Sequence, residues 1–452
     1  MAERKLFGTD GIRGRANQYP VTPEIALRLG RAAGFLLRRD GGPRPKFVIG
    51  RDTRRSGAML ESALVAGLAS VGADVLLAGV IPTPAVAFLV RELGADGGVV
   101  LSASHNPDED NGLKIFGGDG YKLDDIVEER LEQLILNEEI DAFRPAGETI
   151  GTVSTIPDAA QRYGIGAKSS VPGMSLHGLK VAVDCANGAS FETTPSVLRE
   201  LGAALSVFHA EPDGMNINKA CGSTRPEEIS RLVRETGAQI GISHDGDADR
   251  LVLCDEKGEI VDGDEILAMT ALDAIKRGSL AGKTLVATVM SNFGLDESIS
   301  AAGGKVLRTA VGDRYVVEAM REGNFSIGGE QSGHLIFRDH GTTGDGLLAA
   351  LQVLRIMTES GRPLSELRRC LKKYPQAQRN LRVKEKPPIE SLQEVARFVK
   401  ETELALSGKG RVLLRYSGTE PKVRLLIEGP DEAMINEAAE KIAGALAVSI
   451  GE

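Results

Sequence analysis

Tryptophan is missing from this 452-residue sequence, and all aromatic residues together make up 4% of it. Surfaces that stack nucleobases or sugar rings need such side chains, so their scarcity argues against one. Positive charge is also in deficit. A net charge of −9 speaks against a nucleic-acid partner and against an anionic membrane surface. It leaves room for a small anionic substrate, provided that positive charge is gathered locally. The four cysteines (Cys185, Cys221, Cys254 and Cys370) are far apart and form no C-x-x-C pair, so neither a zinc site nor a disulfide framework is indicated. No run approaches the roughly 18 apolar residues of a membrane span, and the opening MAERKLFGTDGIRG lacks the apolar centre of a signal peptide. The chain reads as reduced, soluble and cytoplasmic.

What is abundant is glycine, 54 residues, or about 12% against a usual ~7%. Without a repeat period this predicts many tight loops. The length exceeds one ordinary core, so three or four domains are expected. KFVIG (46–50), ADVLLAGV (73–80) and GGVVL (97–101) read as buried strands, and SGAMLESALVAGLASVG and PAVAFLVRELG between them as helices. The rhythm returns in LKVAVDCANG, PEEISRLVRETG and AQIGIS, and again in KTLVATVMSNFG, KVLRTAVGDRYVVEAMREG and FSIGGEQSGH. It predicts mostly parallel α/β layers. After Cys370, KKYPQAQRN reads as a linker leading to an α+β module of about 80 residues. The expected divisions are 1–154, 155–256, 257–371 and 372–452.

Each unit ends a strand in a polar, glycine-rich loop, the place where ligand sites collect in open α/β sheets. SASHNPDEDNGLK (102–114) offers Ser102, Ser104 and His105, any of which could serve chemistry, while Asn106-Pro107 sets a turn and Gly112 permits close backbone approach. HDGDADR (244–250) alternates Asp245, Asp247 and Asp249, which would lean to one side of an extended segment. Three crowded carboxylates suit a hard cation such as Mg²⁺ or Mn²⁺. An EF-hand is excluded, because Arg250 stands where its glycine is needed and strands flank the loop. GGEQSGH (328–334) brings Glu330, Ser332 and His334, groups that can bind sugar hydroxyls. RYSGTEPKVR (415–424) surrounds a Ser-Gly-Thr turn with Arg415 and Arg424, a candidate anion nest. FGTDGIRG adds Arg13.

In this order the four loops resemble those of the α-D-phosphohexomutase family, over nearly the whole chain. SASHNP looks like its phosphoserine loop, DGDADR its metal loop, GEQSGH its sugar loop and RYSGTEPKVR its phosphate loop. The resemblance implies three similar mixed-sheet α/β domains and a C-terminal α+β domain around a central cleft. It makes Ser104 the phosphorylated residue and leaves Ser102 as strand-end packing. It implies one Mg²⁺ on Asp245, Asp247, Asp249 and a Ser104 phosphoryl oxygen. Lys114, His105 and Arg13 would place positive charge at the transferring group, with Lys114 or His334 as general base. Glu330, Ser332 and Arg250 would hold the sugar, and Arg415, Ser417, Gly418, Thr419 and Arg424 the phosphate that is not reacting. A hexose 1,6-bisphosphate would prime the enzyme.

Within the family, FGTDGIRGRAN, IGRDTRRSG, GMNINKACGSTRPE, TVMSNFG, VGDRY, the glutamine of GEQSGH, and TTGDG resemble members that act on amino-sugar phosphates and feed UDP-N-acetylglucosamine synthesis. Arg15, the basic RRSG at 54–57 and Arg225 depart from the family's forms, on no residue assigned to chemistry. Mutases of unaminated sugars, a Mg²⁺-dependent sugar phosphatase and a non-catalytic sensor are the rival readings. The partner expected is a small amino-sugar phosphate, and a homodimer is among the open oligomeric states.

Overall fold

Four sheets of decreasing width follow one another along the chain in the computed structural model, which describes residues 6–8, 10–38, 43–137, 140–417 and 421–451. The first contains β1 (Ile12–Arg15), β2 (Lys46–Arg51), β3 (Asp74–Val80), β4 (Gly97–Leu101), β5 (Asp110–Gly117) and β6 (Val153–Thr155), in the order β1-β5-β4-β2-β3-β6. The second contains β7 (Lys180–Asp184), β8 (Ala204–Phe208), β9 (Ile240–His244), β10 (Leu251–Asp255) and β11 (Ile260–Val261), in the order β11-β10-β9-β7-β8. The third contains β12 (Thr284–Thr288), β13 (Lys305–Thr309), β14 (Ile327–Gly329) and β15 (Leu335–Phe337), in the order β13-β12-β14-β15.

A topological repeat runs through these sheets although the sequence shows none. In each, the first strand of the repeat lies between the second and the third, and a fourth strand closes beside the third. The first three strands run parallel, and the fourth is antiparallel: β5 on β4, β10 on β9, β15 on β14. The sheets are therefore mixed rather than mostly parallel. The family resemblance implies such mixed sheets; the apolar runs alone pointed to parallel ones, because a strand buried on both faces is equally apolar whichever way its neighbour runs. The consequence is functional. The serine, metal and sugar loops each join the third strand of a repeat to its antiparallel fourth.

Burial explains the strand runs. Every residue of GGVVL in β4 is buried, as are those of β9 and β10. In the first sheet the core joins Phe47, Ile49, Val99, Leu101 and Leu113 to Leu29 of helix Pro23–Leu36 and Leu60, Leu64 and Leu68 of helix Arg55–Ser70.

The chain divides into two compact units, one of residues 1–290 and 303–370, the other of 291–302 and 371–452. The second unit includes helix Gly294–Ala301, which the reading of the sequence leaves in the third α/β division. Its sheet has β16 (Gln376–Arg382), β17 (Arg411–Tyr416) and β18 (Lys422–Glu428), in the order β16-β18-β17. Val395, Val423, Leu425 and Ile427 pack there on Ile435, Ala439, Ile442 and Leu446 of helix Glu432–Ile450. The segment expected as a linker is largely strand: Gln376 to Asn380 pair antiparallel with Glu428 to Arg424. As an edge strand it buries only Ala377 fully, so it carries little apolar periodicity to read.

Candidate functional site

Ser104 follows β4 directly and is buried, with a backbone φ of +51°. That left-handed conformation is uncommon outside glycine. Ser104 Oγ donates to Asp245 Oδ2 at 2.5 Å. His105 Nδ1 lies 3.3 Å from the same Oγ. Two glycines allow the neighbouring backbones to close around this loop. A Cβ at Gly112 would stand 2.7 Å from Ser102 O and 2.8 Å from Ile12 O, and one at Gly246 would stand 2.6 Å from Ser104 O.

The β9–β10 connection brings Asp245, Asp247 and Asp249 together, all buried, with one oxygen of each within 4.8 Å of the others. Thr83 Oγ1 donates to Asp247 Oδ2 (2.6 Å), and Lys114 Nζ, on β5, donates to that oxygen (2.7 Å) and to Asp249 Oδ2 (3.1 Å). Asp247 Oδ1 and Asp249 Oδ1 are buried without a hydrogen-bond partner among the described residues. Orphaned carboxylate oxygens of this kind are costly unless something cationic takes them. The set is hard, anionic and oxygen-only. It fits a divalent cation such as Mg²⁺. Burial, with Asp249 and Asp247 adding to it, pushes the Asp245 carboxyl above its ordinary range.

Beyond the triad runs a closed circuit of ionisable groups in which carboxylates alternate with two lysines and a histidine. Lys114 faces Asp10 at 3.4 Å, Asp10 pairs with Lys122, and Lys122 pairs with Asp313. His334 lies 3.5 Å from Asp313 and 3.7 Å from Asp249, which returns to Lys114. Burial alone would lower Lys114, but Asp10, Asp247 and Asp249 outweigh it and hold the ammonium charged. At His334 burial opposes charge while Asp249 and Asp313 favour it. The Gly344 N–H, donating to His334 Nε2 at 3.1 Å, fixes that nitrogen as an acceptor. Beside the circuit opens a cavity of about 520 Å³ lined by Lys122, Asp313, Arg314, Thr342 and Thr343 among others. Its size suits a small-molecule ligand.

Arg13 sits on β1 opposite Gly112 of β5 and pairs with Asp10. The metal and sugar loops are joined directly, through a bridge between Arg250 and His334 and through Leu251 N–H donating to Gly333 O at 3.0 Å. Glu330 Oε1 accepts from Gly312 N (3.0 Å), and Ser332 Oγ lies 3.5 Å from Glu330 Oε2. The glutamine of this loop, Gln331, points to Asp262 at 3.4 Å, so it braces the loop from behind.

In the second unit Arg415 and Arg424 stand directly opposite on β17 and β18. Like charges so placed repel. Burial and then Arg424 depress the Arg415 guanidinium, and the pair is suited to an anion. Ser417 N–H donates to Lys422 O, and its carbonyl accepts from Lys386 Nζ at 2.6 Å, adding a cation that the sequence reading passed over. Gly418 and Thr419 lie outside the described residues.

Two expectations change. Burial first, then Arg250 and Arg13, push the His105 imidazole down to about 4, so it is a neutral hydrogen-bonding group and not a source of positive charge. Ser102 is more than packing. Its Oγ donates to Asp52 Oδ2 (2.6 Å) and accepts from Ser104 N (2.9 Å). Asp10, Asp52, Arg54, Thr83, Lys122, Asn218 and Asp313 were assigned no role from sequence. Five of the seven, all but Thr83 and Lys122, sit in segments quoted for the resemblance, but a segment does not say which side chain turns inward.

Comparison with known proteins agrees with the geometry. Four segments match phosphoglucomutase/phosphomannomutase domains: residues 4–141 alpha/beta/alpha domain I, 165–258 domain II, 262–374 domain III and 379–445 the C-terminal domain. The chain is 52% identical to a phosphoglucosamine mutase of Syntrophotalea carbinolica, covering 99% of this chain and 98% of that one. It is 52% identical to one of Anaeromyxobacter sp., covering 99% and 96%. Among solved structures, a phosphoglucomutase/phosphomannomutase family protein of Burkholderia thailandensis superposes with a TM-score of 0.80 at 24% identity, covering 98% and 99%. The Aspergillus fumigatus N-acetylphosphoglucosamine mutase, solved with GlcNAc-6P and magnesium, gives 0.66 at 18%, covering 98% and 96%. At such identities the structures speak for the fold alone.

Proposed function

We propose, from the premise that this chain belongs to the phosphoglucomutase/phosphomannomutase family, that it interconverts glucosamine 6-phosphate and glucosamine 1-phosphate through a phosphoserine at Ser104. Family membership makes it an isomerase that moves a phosphoryl group on a sugar. The amino-sugar choice follows the relatives at 52% identity, which are phosphoglucosamine mutases. The observation that carries the chemistry is the Ser104 hydroxyl held against three buried aspartates, two of which keep an oxygen without a hydrogen-bond partner among the described residues.

In the reaction the bond from phosphorus to Ser104 Oγ breaks as the free hydroxyl oxygen of the sugar monophosphate bonds to phosphorus. The hydroxyl proton passes to His334, since Asp10, Asp247 and Asp249 keep the Lys114 ammonium already protonated, and the product is a 1,6-bisphosphate. After the sugar reorients, Ser104 Oγ takes the other phosphoryl group and the hydroxyl oxygen left on the sugar is reprotonated. Asp245, Asp247 and Asp249 would hold one Mg²⁺, which when bound neutralises charge on the transferring phosphoryl group. Lys114 and Arg13 bring fixed positive charge to the same place. Glu330, Ser332 and Arg250 orient the sugar. Arg415, Ser417, Gly418, Thr419 and Arg424 anchor the phosphate that is not reacting. A hexose 1,6-bisphosphate primes the cycle. We read the domains as 1–154, 155–256, 257–371 and 372–452, and the protein as cytoplasmic. Among the described residues no helix is long and apolar enough to cross a membrane.

The test compares turnover of glucosamine 1-phosphate and glucose 1-phosphate with Mg²⁺ and a trace of hexose 1,6-bisphosphate, reading free phosphate in the same tube. Strong preference for the amino sugar without phosphate release is expected. Equal or reversed preference would replace the substrate, and phosphate release matching substrate loss would replace the reaction.

A further inference from the structure

We propose that Arg54, with Asp52, Ser102 and Asn218, is a positioning device that holds the backbone of Ser104 in its left-handed turn, so that the hydroxyl meets the transferring phosphoryl group in line. The inference rests on the reading of Ser104 as the phosphoryl carrier and adds residues to which no role in the reaction has been given.

Arg54 is 1% exposed. Its Nε donates to Asp52 Oδ2 (2.8 Å), and its own backbone N–H donates to Asp52 Oδ1 (2.9 Å). The two terminal nitrogens then turn to the serine loop. Nη2 donates to Ser104 O (2.9 Å) and Asn106 O (2.8 Å), and Nη1 to Asp110 O (3.1 Å) and Pro107 O. One buried guanidinium thus collects four carbonyls from seven consecutive residues. Only a planar fork with five donors can do so; an ammonium is a point charge with three.

Asp52 closes the device on the other side. Its Oδ2 accepts from Ser102 Oγ, which accepts from Ser104 N–H. Asn218 comes from the second α/β repeat, and its Nδ2 donates to Ser104 O (2.9 Å) and Asn106 O (3.0 Å). Both main-chain polar groups of Ser104 are therefore held from behind. No bond of this set uses Ser104 Oγ, which is left to face Asp245. A residue kept in a sparsely populated conformation needs surroundings that over-determine it. In-line phosphoryl transfer needs that precision, because a misplacement of about 1 Å can cost on the order of 10²-fold in rate.

Arg54→Lys keeps the charge and loses the fork. Asn218→Gly removes one amide, and glycine tolerates the φ of +57° found there. Phosphorylation of Ser104 by glucose 1,6-bisphosphate is followed by quenched intact-protein mass in wild type and both variants, together with kcat and KM in the steady state. Expected are a fall in the Ser104 phosphorylation rate and in kcat of about 10²-fold for Arg54→Lys and about tenfold for Asn218→Gly, with KM within twofold of wild type. Ser102→Ala should lose rate likewise, and Ser102→Thr, which keeps the hydroxyl, should recover most of it. A folded Arg54→Lys or Asn218→Gly protein that takes up phosphate at the wild-type rate overturns the proposal. So does a loss carried by KM alone. If Arg54→Lys does not fold, Asn218→Gly and the Ser102 pair decide by the same criteria. Wild-type protein that takes no phosphate at Ser104 would instead overturn the carrier reading itself.

Discussion

A serine hydroxyl at the end of a buried strand is ordinarily inert, and Ser104 differs by what faces it. Asp245 accepts from it, and Asp247 and Asp249 lie alongside, each with a buried oxygen that has no hydrogen-bond partner among the described residues. Ser104→Ala is expected to abolish turnover in a protein that folds normally, measured as loss of both mutase rate and phosphate uptake. Residual turnover near wild type would remove Ser104 from the reaction. For the triad, Mg²⁺ should raise the melting temperature of wild type by mass action. Asp247→Asn should lose that rise and the metal-dependent rate together, checked by thermal melts with and without chelator. The three aspartates were legible because their type and spacing are unusual for filler, and Ser104 because its loop resembles the family's phosphoserine loop. Asp52 and Arg54 were not legible as a pair, since a buried ion pair looks like any charged loop until its burial is known.

At the scale of elements, the hairpins between the third and fourth strands of each repeat account for the position of the loops. Antiparallel closure, β5 on β4 and β10 on β9, turns the chain back so that Lys114 faces the aspartates that follow β9. Strand and helix positions could be read from apolar runs and glycine ends. Strand direction could not, nor could the edge strand β16. The pairing of β17 with β18 sets Arg415 against Arg424, a local cost of about 0.2–1 kcal/mol for like charges directly opposed. Arg415→Gln is therefore expected to raise the melting temperature slightly while raising KM for the sugar monophosphate about tenfold or more, through loss of a charge-assisted contact. A variant with lower stability and unchanged KM would show that this pair has no anion to hold.

For the molecule as a whole, buried polar contacts tie the three α/β repeats into one compact unit: Thr83 to Asp247, Lys122 to Asp313, and Tyr163 to Asp345. Asp345 caps helix Gly346–Ser360 through Leu348 N–H and accepts from Tyr163 OH at 2.8 Å. Burial pushes its carboxyl up to about 6, against about 3.9 in an unfolded chain. Between these values the folded state holds a proton that the unfolded state has released. The contribution is full below pH ~4 and is lost as pH rises through about 6. Asp345→Asn, which keeps an acceptor for both donors, should gain melting temperature relative to wild type as pH rises from 5 to 7. A difference that does not change with pH would contradict this.

Some features of the protein needed nothing beyond the chain. The alternation of strands and helices, the four polar loops and the three aspartates follow from residue type and spacing, which act locally, while the choice of Ser104 within its loop rests on the family resemblance. Tertiary structure alone decided that Arg54 and Asn218, from two different repeats, grip one turn, and that Lys114, Asp10, Lys122, Asp313, His334 and Asp249 close a ring. Those arrangements depend on burial and on contacts between residues distant in the chain, up to 191 positions apart, and local spacing carries no record of either.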